Sequence, residues 1–154
     1  MPALVLNNPQ SLKEFMGREI GVSEWLRVSQ ERIAQFADAT EDRQWIHLDG
    51  ARAASESPYG TTIAHGFLTL SLLSHFMADV VQISGGLRFA VNYGLNRVRF
   101  PAPVKVDSRI RARVSLLALK ELGDALEATF AVTVEGEGLA KPNCVAEWMV
   151  RYYV

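Results

Sequence analysis

"GFLTLSLLSHFMADVV", residues 66–81, is apolar around most of a helical projection: Phe67, Leu68, Leu70, Leu72, Leu73, Phe76, Met77, Val80 and Val81 leave only a thin polar strip. A helix with so little polar face has to be enclosed on most sides. Thr69, Ser71, Ser74, His75 and Asp79 make it too polar for a membrane span. The cover is therefore expected from the rest of the chain.

Downstream of "SGG" at 84–86 the period changes from that of a helix to that of a strand. Ile110, Ala112, Val114 and Leu116 alternate with Arg109, Arg111, Arg113 and Ser115, which marks a strand with one buried and one wet face. Leu126, Ala128, Phe130, Val132 and Val134 repeat the pattern after Gly123-Asp124, and Ala146, Trp148, Val150, Tyr152 and Val154 repeat it after Pro142-Asn143. "LRFAVNYGLNRVRF", residues 87–100, supplies a further long strand before Pro101 and Pro103. Short turns between these strands predict antiparallel pairing. The chain reads as an α+β fold in which an antiparallel β-sheet wraps one long hydrophobic central helix. The sheet must still end in edges, and pairing an edge with a second copy hides it, so a homodimer is expected.

Upstream, Leu12, Phe15 and Met16 fall at helical spacing before Gly17 and predict a short amphipathic helix capping one end of the core. "IGVSEWLRV", residues 20–28, is rich in strand formers, and Ser29 offers an N-cap to a helix that buries Ile33, Phe36 and Ala37 and runs out near Ala39. No repeat, linker or low-complexity tract divides the chain, so 1–154 is expected to be a single domain.

The totals exclude some partners. With 16 basic and 17 acidic residues the net charge is -1, which argues for neither nucleic acid nor an anionic membrane as a partner. Cys144 stands alone, and "MPALVLNNPQ" lacks the basic start and apolar run of a secretory signal, so a reducing, cytoplasmic location is expected.

"ATEDRQWIHLDGARAA", residues 39–54, sets Asp42 and His47 on either side of Trp45, just past a helix end, in a chain with three histidines. Asp49 is placed to cap the "GARAAS" turn. Further on, "PYGTTIAHGFLTLSLL", residues 58–73, delivers Gly66 to the first turn of the hydrophobic helix. The first amides of a helix have no internal partner and carry the positive end of its dipole, and glycine lets a ligand carbonyl approach the backbone directly. An amide donor, a carboxylate and an imidazole together suit chemistry beside a thioester or ketone carbonyl. Three histidines spaced 18 and 10 residues apart, with no paired cysteines, do not form a metal-ligand pattern, and no metal is expected.

From "EWLRVSQERIAQFADAT" through "AHGFLTLSLL" and "VNYGLNRVRFPAPV" to "CVAEWMVRYYV", the chain resembles the MaoC-like (R)-specific enoyl-CoA hydratases of the hot dog fold, in the branch grouped with nodulation protein N. The shared pattern is an aspartate, four residues, a histidine, then a downstream His-Gly opening the long helix, filled here by Asp42, His47, His65 and Gly66. The resemblance implies a hydro-lyase that adds water reversibly to (2E)-enoyl-CoA to give the (R)-3-hydroxyacyl thioester, in fatty acid metabolism. It makes Asp42 and His47 the catalytic pair and the Gly66 amide the donor to the thioester oxygen. Coenzyme A would enter as part of the substrate, and no separate cofactor is expected.

Many members of that family have Asn-Pro where this chain has Gln44-Trp45, and a glycine where it has Glu41. Gln44, Trp45 and His65 complete the expected substrate-binding set: Gln44 in place of the asparagine, Trp45 as a lining of the acyl pocket or a packing residue, and His65 beside the helix start, where it orients the loop or packs. Arg97, Arg99 and Lys105 are candidates for the coenzyme A phosphates, Ser74 for a pocket position, and His75 for a hydrogen-bonded core or interface residue.

Two rival functions differ in what the sequence should contain. A hot dog thioesterase commonly carries an acidic residue on the long helix, yet none occurs between Gly66 and Ala78, and Asp79 lies near the far end. A non-catalytic acyl-CoA-binding subunit would be the better reading if Asp42 or His47 were missing.

Overall fold

The computed structural model describes residues 2–154. The centre of its main sheet is three strands that alternate in burial over most of their length. β6 (Arg109–Glu121), β7 (Ala125–Gly136) and β8 (Cys144–Tyr153) run antiparallel as neighbours, flanked by β2 (Glu19–Val22) beyond β6 and by β5 (Phe89–Arg99) beyond β8. The two-residue strand β3 (Leu26–Arg27) also pairs with β6. On the inner face, Ile110 to Leu116, Leu126 to Val134 and Ala146 to Tyr152 bury every second side chain, as the period of two requires. A register shift between Leu116 and Ala118 leaves Leu117 exposed and ends the alternation in β6. Val154, expected to extend the last strand, lies outside it and is exposed.

The hydrophobic stretch lies across this face in two helical pieces, α4 (Gly66–Ser71) and α5 (Leu73–Val80). They meet at Leu72, whose amide N–H is shared between the carbonyls of Leu68 at 3.1 Å and Thr69 at 3.2 Å, a tightened turn where one uninterrupted helix was expected. Leu68, Leu72, Leu73, Phe76, Met77 and Val80 form one cluster with the inner side chains of the sheet, Phe130 and Trp148 among them. Each of these side chains contributes roughly 1.5–3 kcal/mol of burial.

The helix is less enclosed than its composition suggests. Phe67, Ser71, Ser74, His75 and Ala78, at helical spacing, are exposed. His75 is therefore no core residue; it stands on the open face, with its ring tilted against Phe76 at 5.6 Å. The stretch also stops being helical one residue early. Val81–Ile83 forms β4, which pairs in parallel with β1 (Leu4–Leu6), a two-stranded sheet the sequence reading did not anticipate.

The expected N-terminal helix is a 3-10 helix over Pro9–Phe15, with the Asn8 side chain as its cap. Leu12 is fully buried there, but Met16 is exposed. α1 (Gln30–Thr40) begins as expected at Ser29, whose hydroxyl accepts from the Arg32 amide at 3.2 Å, and it buries Ile33 and Ala37. Cys144 heads β8 with no exposure, and burial pushes its thiol up to about 11.

β5 is bonded on one side only, to β8, so its other side is a free sheet edge. Phe89, Val91, Tyr93 and Leu95 are all exposed along it. No helix among the described residues is long and apolar enough to cross a membrane.

Candidate active site

The end of α1 sets the site. Its C-cap, Glu41, takes a left-handed conformation with φ 62° and ψ 22°, which turns the chain sharply and presents Asp42. L-residues avoid this region and glycine does not. The structure thereby accounts for the glycine that the resembling family carries at this position. The chain then enters α2 (Trp45–Leu48), which holds His47, and α3 (Gly50–Glu56), where the Asp49 carboxylate accepts from the Arg52 amide at 3.0 Å as expected.

Residues 57–65 return the chain to the start of α4. They are tied on both sides: the Ile63 amide donates to Ile46 O at 3.2 Å, Ala64 to Val104 O at 2.8 Å, and the Val106 amide to Thr62 O at 3.0 Å. Gln30 clamps the same region from α1. Its side-chain amide donates to His47 O at 2.8 Å, and its oxygen accepts from the Thr62 hydroxyl at 2.6 Å.

These ties bring His47 and His65 face to face, with ring centroids 3.7 Å apart and planes 23° from parallel. Both are buried, at 8% and 4% exposure. The Nδ1 of His47 lies 2.8 Å from Ile63 O. A carbonyl only accepts, so Nδ1 carries the proton and Nε2 of neutral His47 keeps its lone pair. Burial holds the His47 pKa below the ordinary imidazole value; the His65 ring pushes the same way, against the Ile63 hydrogen bond and the Asp42 charge. His47 is thus a neutral imidazole with a basic nitrogen at neutral pH.

His65 is held in the opposite tautomer. Its Nε2 lies 2.9 Å from the Asp42 main-chain carbonyl and donates to it, while Nδ1 is buried with no partner. The Asp42 carboxylate is half exposed. One oxygen lies 3.9 Å from His65 Nε2, and the other accepts weakly from the Gln44 amide at 3.4 Å.

Gly66 follows directly. Neither its amide nor that of Phe67 donates to a carbonyl among the described residues; the first bonds of the helix run from Leu68 and Thr69 to His65 O. A Cβ on Gly66 would stand 3.1 Å from the Phe100 ring, so a side chain at this position would displace that ring.

Asp42, His47, His65 and Gly66 share one cavity of about 480 Å³ with Phe36, Thr40, Phe67 and Phe100. One end is polar and the walls are aromatic. Asp42, His47 and His65 each bring a possible metal-ligand atom within 4.8 Å of the others. A single ion needs lone pairs that converge. Two rings stacked at 23° direct theirs nearly parallel, and Nε2 of His65 is already engaged with a carbonyl. The arrangement suits proton transfer better than metal ligation.

Of the residues expected from the sequence, Asp42, His47, His65 and Gly66 converge. Gln44 and Trp45 do not line the cavity: Gln44 is exposed at the head of α2, and Trp45 packs beneath Arg52, whose guanidinium carbon sits 4.2 Å from the ring centroid. Arg97, Arg99 and Lys105 are also absent from its walls. Ser74 borders a different cavity, of about 280 Å³, between the helix and β5. Sequence reasoning missed Gln30, Phe67 and Phe100, and it assigned Phe36 to the core alone. Phe67 beside Gly66, and Phe100 immediately before Pro101, were the available signals.

Residues 11–137 match the family described as MaoC like domain. Over 137 residues the chain is 53% identical to 3-hydroxyacyl-thioester dehydratase Z of Mycobacterium tuberculosis, covering 88% of this chain and 89% of that one. It is 48% identical over 135 residues to nodulation protein N of Rhizobium leguminosarum bv. viciae, covering 87% and 84% of the two chains. Among solved structures, the (R)-hydratase of Aeromonas caviae involved in PHA biosynthesis superposes with a TM-score of 0.66 at 28% identity, over 84% of this chain and 95% of that one.

Proposed function

Since the chain belongs to the MaoC-like family, whose dehydratases and hydratases are hydro-lyases, we propose that it hydrates (2E)-enoyl-CoA reversibly to (R)-3-hydroxyacyl-CoA, with Asp42 and His47 as the catalytic pair. The observation that carries this reading is the convergence of the Asp42 carboxylate, the neutral His47 imidazole and the amino end of α4 on one cavity.

In the proposed reaction the thioester oxygen accepts a hydrogen bond from the Gly66 amide. A water held between Asp42 and His47 gives up a proton to the pair as its oxygen bonds to Cβ. The electrons of the double bond move onto the carbonyl oxygen, where the amide and the helix dipole stabilise the enolate. The pair returns a proton to Cα. Base and acid are assigned to the pair and not to single residues, because both groups border the same cavity. The walls formed by Phe36, Phe67 and Phe100 favour an apolar acyl chain. No cofactor is called on beyond the coenzyme A that the substrate carries.

The experiment offers purified protein a panel of enoyl-CoAs and follows loss of conjugated enoyl absorbance and release of free thiol side by side. Hydration without thiol is the expected result; thiol release alone would replace the hydratase with a thioesterase.

The proposal includes a homodimer and a cytoplasmic setting. The open stripe of the helix and the free edge of β5 adjoin, since Ser71, Ser74, Tyr93 and Leu95 border one cavity. A second copy pairing along β5 would cover the edge and the stripe together. Light scattering on the wild type is expected to give twice the chain mass, and Tyr93→Asp to shift the protein toward monomer.

A further inference from the structure

His65 was expected in the substrate-binding set, orienting the loop or packing beside the helix start, and it lines the cavity without offering a free ring nitrogen to it. Nε2 is committed to Asp42 O at 2.9 Å, Nδ1 is buried without a partner, and one face of the ring is covered by His47. Phe36 tilts against it at 5.0 Å. The same contacts tie it to Asp42 and His47, and it directly precedes Gly66. Given the hydratase reading, on which this inference rests, we propose that His65 is a positioning residue: its hydrogen bond to the Asp42 main chain and its stack on the His47 ring fix the catalytic pair relative to the Gly66 amide.

Three observations support this. Asp42 follows a left-handed Glu41, a strained turn that persists only where its surroundings hold it, and the His65 bond is the contact that reaches the Asp42 backbone from across the site. The His47 ring is fixed on one side by Ile63 O and on its face by His65, so its free Nε2 is held in one direction. His65 is also the N-cap of α4, one residue before Gly66, so one side chain sets the spacing between the proton-transfer groups and the amide donor. Displacements near 1 Å at such a site cost on the order of 10²-fold in rate.

A relay of protons through His65 is excluded by the same geometry. Nε2 donates to a carbonyl that cannot accept the proton outright, and Nδ1 meets no donor. Burial is the main cause that lowers the His47 pKa; the Ile63 hydrogen bond opposes it, His65 adds to it, and the Asp42 charge opposes it. Removing the second imidazole should therefore let His47 protonate at higher pH.

The test uses two substitutions with complementary losses, on the full chain with crotonyl-CoA as substrate. His65→Gln keeps a donor within reach of Asp42 O but loses the ring; His65→Phe keeps a ring against His47 but loses the donor. Both are expected to lower kcat by roughly 10- to 100-fold with little change in KM, and to move the acid limb of the pH profile upward. The inference is overturned if KM rises while kcat holds, which is the mark of a binding residue. It is equally overturned if folded variants keep wild-type kcat, KM and pH profile, which is the mark of packing alone. Should both variants fail to fold, imidazole nitrogen NMR of the wild type decides. His65 is expected to show a protonated Nε2 and a bare Nδ1 above pH 7, and the reverse tautomer would overturn it. Wild-type protein inactive on every enoyl-CoA would remove the hydratase reading instead, and the NMR would still report whether His65 holds that tautomer against Asp42.

Discussion

The β6–β7–β8 sheet and the segment from Glu41 to Gly66 are built on opposite terms. In the sheet, local preference, register and burial agree: Phe130 and Val134 are fully buried, and the wet face carries ion pairs such as Arg151–Glu127 at 2.9 Å. In the segment those terms conflict. A non-glycine residue holds a left-handed conformation, two imidazoles are buried against each other, and one ring nitrogen has no partner. Consistent stretches supply stability, and inconsistent ones persist where a function needs them. Substitutions should therefore separate cleanly, those in the sheet costing stability and those in the segment costing rate.

The largest effect is expected in the segment. Asp42→Asn or His47→Gln should lower the hydration rate by about 10²- to 10⁴-fold with little loss of stability, as enoyl turnover beside a denaturation curve would report. An equal fall in both would merge the two regions. Next comes the sheet: Phe130→Ala should destabilise by about 3–5 kcal/mol, read from the denaturation midpoint, with kcat per folded molecule nearly unchanged.

A smaller effect tests the electrostatics. Because the folded state holds His47 below its ordinary pKa, the unfolded chain binds the extra proton first, so stability should decline as pH falls through about 6.5. Curves at pH 7.5 and 5.5 should show that decline, and His47→Gln should reduce it. The smallest effect is expected at the strained turn. Glu41→Gly should stabilise by roughly 0.5–1 kcal/mol by relieving the left-handed conformation, and a loss of stability there would show that the turn is not strained.

The same contrast explains what the sequence made legible. Alternation predicted the inner face of β6, β7 and β8 almost residue by residue, because a period of two with one wet face leaves a single solution. The hydrophobic run predicted a central helix but not its open side. Ser71, Ser74, His75 and Ala78 are too few and too small to mark an exposed stripe in so apolar a segment. The parallel pairing of Leu4–Leu6 with Val81–Ile83 joins segments far apart in the chain and leaves no local pattern. The meeting of Asp42, His47 and Gly66 at one cavity was legible from the motif spacing together with the family resemblance. The clamp by Gln30 and the aromatic walls were not, since a glutamine at a helix start and a phenylalanine before a proline have ordinary uses elsewhere. His65 was readable as a neighbour of the helix start, but its partners were not. Whether a ring nitrogen meets a ligand or a backbone carbonyl depends on loop geometry that spacing does not encode.

The thiol of Cys144, sealed at the head of β8, gives the protein a built-in reporter. An alkylating reagent reaches it when the structure around the head of β8 opens, so labelling kinetics in native buffer would read the frequency of that opening with no engineered probe. Folded enzyme would also contribute almost no background to a chromogenic assay for liberated coenzyme A.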